Sequence, residues 1–210
     1  MGLKEDARTF NPFPGLRPFA PDENDLFFGR EKESEEILKK LLKNRFVTVI
    51  GASGSGKSSL IYCGVLPEIR NMEKDESSKW KIITFRPGND PLGNLGNSIK
   101  EEISGTDLRK TEVETILLDM HLNSDGIASA LKKYLITDNE KILLVVDQFE
   151  ELFRYSTAST GGARESNVAE FVEKIVSAIS QPEGNIYTLI TMRSDFISEC
   201  AHYQGLTKLI

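Results

Sequence analysis

"FVTVIGASGSGKSSL", residues 46–60, decides how the rest of the chain is read. Phe46 to Ile50 are all β-branched or aromatic, a short strand signal. Gly51 and Gly56 bracket a loop of small residues, Ala52, Ser53, Gly54 and Ser55, and a helix-forming run follows Gly56 directly. Loop amides and the positive end of that helix converge on one point, which makes a cradle for an anion. The G-x-x-x-x-G-K-[ST] spacing lets Lys57 reach the β- and γ-phosphates of a nucleotide and lets the Ser58 hydroxyl ligate Mg²⁺, with Ser59 beside them in the same cradle. A Gly-rich turn without a ligand is the bland alternative. It is disfavoured because the strand before and the helix after are both in place, the context this motif demands.

Outward from the loop, strands and helices alternate. "EKESEEILKKLLKN" (31–44) repeats apolar residues at Ile37, Leu38, Leu41 and Leu42, one helical face. "WKIITF" (80–85), "KILLVV" (141–146) and "IYTLITM" (186–192) read as three more strands, the second of them apolar enough to be covered on both faces. Helical spacing appears at Leu92–Ile103, Val113–Leu117, Ile127–Leu135 and Val168–Ile179, and "STASTGGARES" (156–166) reads as a flexible loop. Strands separated by helices pair in parallel through right-handed crossovers, so the expected fold is α/β, an open parallel sheet with helices on both faces. Residues 1–26 differ: Pro12, Pro14, Pro18 and Pro21 among aromatics exclude a helix interior and predict an extended arm laid on the surface of a core spanning 27–210.

Bulk properties exclude several function classes. A net charge of −6 over 210 residues gives no basic field for nucleic acid or an anionic membrane. Cys63 and Cys200, the two cysteines, cannot build a disulfide framework and fit a reducing, cytoplasmic setting. No apolar run approaches the ~20 residues needed to span a bilayer.

A phosphate loop needs a carboxylate at a neighbouring strand end to hold the metal, and Asp147, directly after "KILLVV", is the natural partner. Gln148 cannot accept a proton, so the water-activating base must lie further on. Glu150 and Glu151 both qualify, with Glu150 favoured and an exposed helix-surface role weighing against Glu151. Arg193 follows an apolar strand directly, where a guanidinium can read a γ-phosphate. A lone arginine is more often a surface residue, but ligands of open α/β sheets gather at strand carboxyl ends.

Together these residues resemble the STAND branch of P-loop NTPases, relatives of the AAA+ ATPases. "FFGREKE" (27–33) fits that family's G-R-E-x-E motif, Asp147, Glu150 and Glu151 fit its second acidic motif, and Thr191 and Arg193 fit its T-x-R sensor. More narrowly, "NPFPGLRPF", "VVDQFEELF" and "MRSDF" look like the bacterial novel STAND NTPases often fused to WD40 repeats or effector domains. The resemblance implies an ASCE/AAA+-like sheet, ATP and ADP with Mg²⁺ as ligands, and adenine held beside Phe28, Gly29 and Arg30. It implies slow hydrolysis driving a switch between a closed ADP state and an oligomeric ATP state, with sensor or effector domains elsewhere in the parent protein. It also implies a further core strand and a helical lid after residue 210. Rival readings are a replication-initiator or transposition ATPase, expected to carry an acid at 148 and a basic surface, and a non-catalytic scaffold that holds ADP.

Overall fold

The computed structural model describes residues 15, 17–72, 79–103, 113–135, 140–157, 162–181, 185–203 and 205–208. Its centre is a parallel sheet of β1 (Phe46–Gly51), β2 (Lys79–Phe85), β3 (Glu140–Val146) and β4 (Ile186–Arg193), in the order β1-β4-β3-β2. Gly51 pairs with Arg193 and Phe85 with Val146, so the carboxyl ends of the strands open on one edge.

Side chains alternate across a strand, and β3 shows what that does here. Ile142, Leu144 and Val146 face one core, packed under helices α3 (Pro91–Ile103), α4 (Val113–Leu122), α5 (Gly126–Leu135) and α7 (Gly162–Ile179). Leu143 and Val145 face the other, under α1 (Glu31–Asn44) and the helical run 57–72, here α2. All five are fully buried, and trimming one such leucine to alanine costs about 2–5 kcal/mol. Helices on both faces, as expected, explain why this strand has no polar side to its pattern.

Two details position the site. Helix α1 ends at Arg45, whose φ of 60° puts it in the left-handed region, with its N–H on Leu41 O at 2.8 Å; β1 therefore starts at the next residue. Helix α2 is not regular: Lys57–Ser59 is α-helical, Leu60–Val65 forms a π turn, and Leu66–Met72 resumes the α-helix. Gly64 in the π turn has no room for a side chain, because a Cβ there would lie 2.1 Å from Ser34 Oγ. This close approach clamps the start of α1 against the helix that leaves the loop.

Three expectations need correction. Within the arm, Pro21–Leu26 is a 3-10 helix rather than extended chain; Phe10 and Phe13 lie outside the described residues. Phe19 and Phe27 do pack together, ring centroids 6.0 Å apart, but Phe28 is 76% exposed. Of the stretch read as a flexible loop at 156–166, residues 156–157 belong to α6 (Glu151–Thr157) and 162–166 to α7, while 158–161 lie outside the described residues. Glycine pairs and serines at a helix start look like linker composition in sequence, which is why the helix was hidden.

Candidate functional site

The loop between β1 and α2 has the conformation its composition demands. Gly54 and Gly56 sit at φ +73° and +79°, where a side chain would be strained. At Gly51 a Cβ would come within 2.9 Å of Ser55 Oγ. Lys57 lies back along the loop, its Nζ donating to Gly51 O at 2.9 Å and Ala52 O at 2.8 Å.

Asp147 is the hub of the strand edge and only 1% exposed. Its Oδ1 accepts from Ser58 Oγ and from Thr191 Oγ1, each at 2.7 Å. Its Oδ2 accepts from Arg86 Nε at 3.2 Å and Tyr62 OH at 3.3 Å, and Arg86 Nη2 completes the ion pair at 3.2 Å. A buried carboxylate survives only with such compensation. Burial and the Asp147 charge push the Tyr62 phenol far above its ordinary value, so it stays a hydrogen-bond donor.

Past Asp147 the chain turns sharply. Gln148 takes φ +59°, held by its N–H on Thr191 Oγ1 and by Phe149 N–H on Thr191 O, both at 2.9 Å. This turn sends the two glutamates to different places. Glu150 is 5% exposed, lines the same pocket as the loop, and accepts the Arg193 N–H at 3.2 Å. Glu151 points to the β2–α3 connection, where its Oε2 accepts the Gly88 N–H at 3.0 Å. Arg193 is paired with Asp195 through bonds of 3.0 and 2.5 Å, which holds that carboxyl below its usual range.

The pocket measures about 660 Å³ and is lined by Ser53–Ser59, Gln148, Glu150, Arg154, Thr191 and Arg193, with Gly15 and Arg17–Phe19 of the arm on its remaining side. A second cavity of about 370 Å³ lies next to it, between the start of α1 and the π turn, with Phe27, Arg30, Cys63 and Gly64 in its wall. Gly29 adopts φ +85°, and Arg30 bridges the two cavities, Nη1 reaching Ser55 O at 3.4 Å while Nε pairs with Glu33 at 2.9 Å. Phe27, not the exposed Phe28, is the aromatic side chain facing this second cavity.

So the fold brings Gly51–Ser59, Asp147, Glu150 and Arg193 together and leaves Glu151 and the Phe28 ring outside. Sequence reasoning missed Tyr62, Arg86, Arg154, Phe27 and the arm residues. Arg86 ends β2 as Asp147 ends β3, so the strand-end rule pointed to it; Tyr62 is four residues after Ser58 on one helix and shares its face. The residues suit a magnesium nucleotide. Glycines with positive φ free the loop amides for phosphate oxygens, and a hydroxyl and a carboxylate meeting at 2.7 Å are the hard oxygen donors Mg²⁺ prefers.

Comparison with known proteins places the chain among NTPases. The family model described as novel STAND NTPase 1 matches residues 12–210, and the chain belongs to that family. No curated protein matches the chain. Among solved structures, the Aeropyrum pernix ORC2 protein, described as ADPNP-ADP complexes, is similar with a TM-score of 0.52 and 15% sequence identity over 88% of this chain. At that identity the likeness is one of fold alone, and this chain spans 47% of that protein's length.

Proposed function

We propose that this chain is the ATP-binding, slowly hydrolysing switch domain of a STAND-type ATPase, controlling nucleotide-dependent self-association of a larger protein. The observation that carries the reading is the link Ser58–Asp147–Thr191 at the mouth of the phosphate loop: one carboxylate oxygen joins the loop, the second acidic strand end and the sensor strand. Membership of an NTPase family supports the nucleotide as ligand.

In this reading the amides of 51–59 and Lys57 hold the phosphate chain, and Ser58 and Asp147 hold Mg²⁺, which when bound neutralises phosphate charge. Lys57 exchanges its loop carbonyls for phosphate oxygens. Glu150 is the base: its Oε2 is tied to the Arg193 N–H, which orients the carboxylate to take a proton from the attacking water. Arg193 reports the γ-phosphate by leaving Asp195 for it.

Switching sets a demanding scale. Reversing a 1:99 equilibrium takes about 5.5 kcal/mol of differential binding, and one charge-assisted hydrogen bond contributes about 1.5–3 kcal/mol. Arg193 alone is insufficient, so this 210-residue chain is expected to bind nucleotide without a sharp ATP-driven oligomerisation. The test is ATP turnover by the wild type and Glu150→Gln. The proposal expects slow turnover that drops at least about 100-fold in the variant; no turnover in either would leave only a nucleotide-holding scaffold.

A further inference from the structure

One wall of the 660 Å³ pocket comes from outside the P-loop core: Gly15, Arg17, Pro18 and Phe19. We propose that Arg17 is a further nucleotide-binding residue, its guanidinium contacting the phosphate chain of the ligand held by residues 51–59. This rests on the nucleotide reading of the pocket and extends it to the arm.

The arm is fastened where the phosphates would lie. Phe19 N–H donates to Ser59 Oγ at 3.1 Å, one residue past the Ser58 hydroxyl. Cys63 Sγ, one turn on, donates to Ala20 O at 3.2 Å. Consecutive Cα atoms are about 3.8 Å apart, so Arg17 starts within about 7.6 Å of the pinned Phe19. Its side chain, 52% exposed, is held at the pocket wall rather than left to wander. Nη1 and Nη2 each meet a Glu23 carboxylate oxygen at 2.6 Å, and Nη1 also reaches Pro18 O at 3.1 Å. Glu23 is itself fixed, accepting the Ala20 N–H at 2.8 Å. A guanidinium has five N–H donors in a rigid fork, so phosphate oxygens can share it with a carboxylate.

The charge pattern fits a polyanion in this pocket. Arg17, Lys57, Arg154 and Arg193 line it, with Glu150 the carboxylate among the described lining residues and with Glu23 and Asp195 pairing Arg17 and Arg193 from beside it, although the chain as a whole carries −6. Field lines from such a cluster focus into a cleft and raise the local concentration of anionic ligands.

The experiment is titration of ATP and of ADP, each with Mg²⁺, into the wild type, Arg17→Ala, Arg17→Lys, Glu23→Gln and Lys57→Ala, with a thermal melt to show that each variant is folded. Arg17→Ala is expected to weaken both nucleotides at least about tenfold, with Arg17→Lys in between because the point charge remains and the fork is lost. Glu23→Gln removes the negative charge but keeps an amide oxygen that can still accept from the Arg17 guanidinium and hold it at the wall, so it should stay within about threefold of the wild type. Arg17→Ala within about twofold of wild type overturns the proposal, as does Glu23→Gln matching its loss, since the pair and not a phosphate contact would then be responsible. A wild type that binds while Lys57→Ala does not, beside an unaffected Arg17→Ala, sinks this inference alone; a wild type that fails to bind sinks the nucleotide reading with it.

Discussion

The Ser58 hydroxyl and the Asp147 carboxylate meet at 2.7 Å across 89 positions of sequence. The contact joins the start of α2, which follows β1, to the end of β3, and β1 and β3 are separated in the sheet by β4. Thr191 on β4 fills the gap, its Oγ1 reaching the same oxygen. With Oδ1 turned toward the loop, Arg86 and Tyr62 occupy Oδ2, so the rotamer of Asp147 is set from both sides.

With Ser58 and Asp147 as the proposed Mg²⁺ holders, that arrangement makes Arg86 a positioning residue for the metal. Arg86→Gln should raise the Mg²⁺ concentration for half-maximal ATP binding by about 10–100-fold, the range for outer-shell partners of a metal ligand, and leave metal-free nucleotide binding nearly unchanged. Asp147→Asn should abolish the Mg²⁺ dependence. Titrations with and without Mg²⁺ check both, and equal metal dependence in wild type and Asp147→Asn would contradict the assignment.

Thr191 is 1% exposed and makes two hydrogen bonds through one oxygen, to Asp147 and from Gln148 N–H. Thr191→Val keeps the shape, strands the Gln148 N–H and leaves Asp147 Oδ1 with Ser58 as its donor. A loss of about 1–3 kcal/mol in denaturant unfolding is expected, the cost of one unsatisfied buried donor, with Thr191→Ser close to wild type. If valine were tolerated as well as serine, the turn at Gln148 would be held by something else.

The two glutamates should separate cleanly. Glu151 accepts the Gly88 N–H and lies outside the pocket, so Glu151→Gln should cost about 1 kcal/mol of stability and leave turnover within about threefold of wild type. Glu150→Gln should keep ATP affinity and lose turnover. The opposite pattern in steady-state kinetics would move the base to Glu151.

Cys63 and Cys200 are both buried. Burial pushes the Cys200 thiol from its ordinary 9.0 up to about 11, so at pH 8 it remains protonated and a poor nucleophile. Its contribution to stability is present below the unfolded value and is lost as pH climbs toward about 11. Mass spectrometry after alkylation at pH 8 should find Cys200 unmodified in the native protein and modified in denaturant. Equal labelling in both would show that the β4 end is not packed as described.

Much of this was readable in the residues. The four strands sit where their β-branched runs placed them, because in a doubly covered sheet every position of a central strand such as Leu143–Val146 must be apolar, an unmistakable pattern. The loop at Gly51–Ser58 and the strand-end place of Asp147 were legible because glycine spacing and an acid directly after an apolar strand are visible in the residues. Arg17 was not, since a single arginine carries no spacing signal until the fold shows its neighbours, and Arg86 offered only its place directly after β2. The choice between Glu150 and Glu151 depended on the left-handed turn at Gln148, which a glutamine does not announce. The π turn at Leu60–Val65 was invisible for a related reason: its sequence reads as an ordinary apolar helix, and only the contact of Gly64 with Ser34 reveals the widened turn.

The loop at 51–59 is proposed to bind a nucleoside triphosphate. Isothermal calorimetry of ATP with Mg²⁺ tests it most directly, comparing wild type with Lys57→Ala. The account predicts saturable binding by the wild type and at least about a tenfold loss in the variant, since one charge-assisted contact to phosphate disappears. Absence of binding heat in the wild type across temperatures, or identical isotherms for the two proteins, would contradict it.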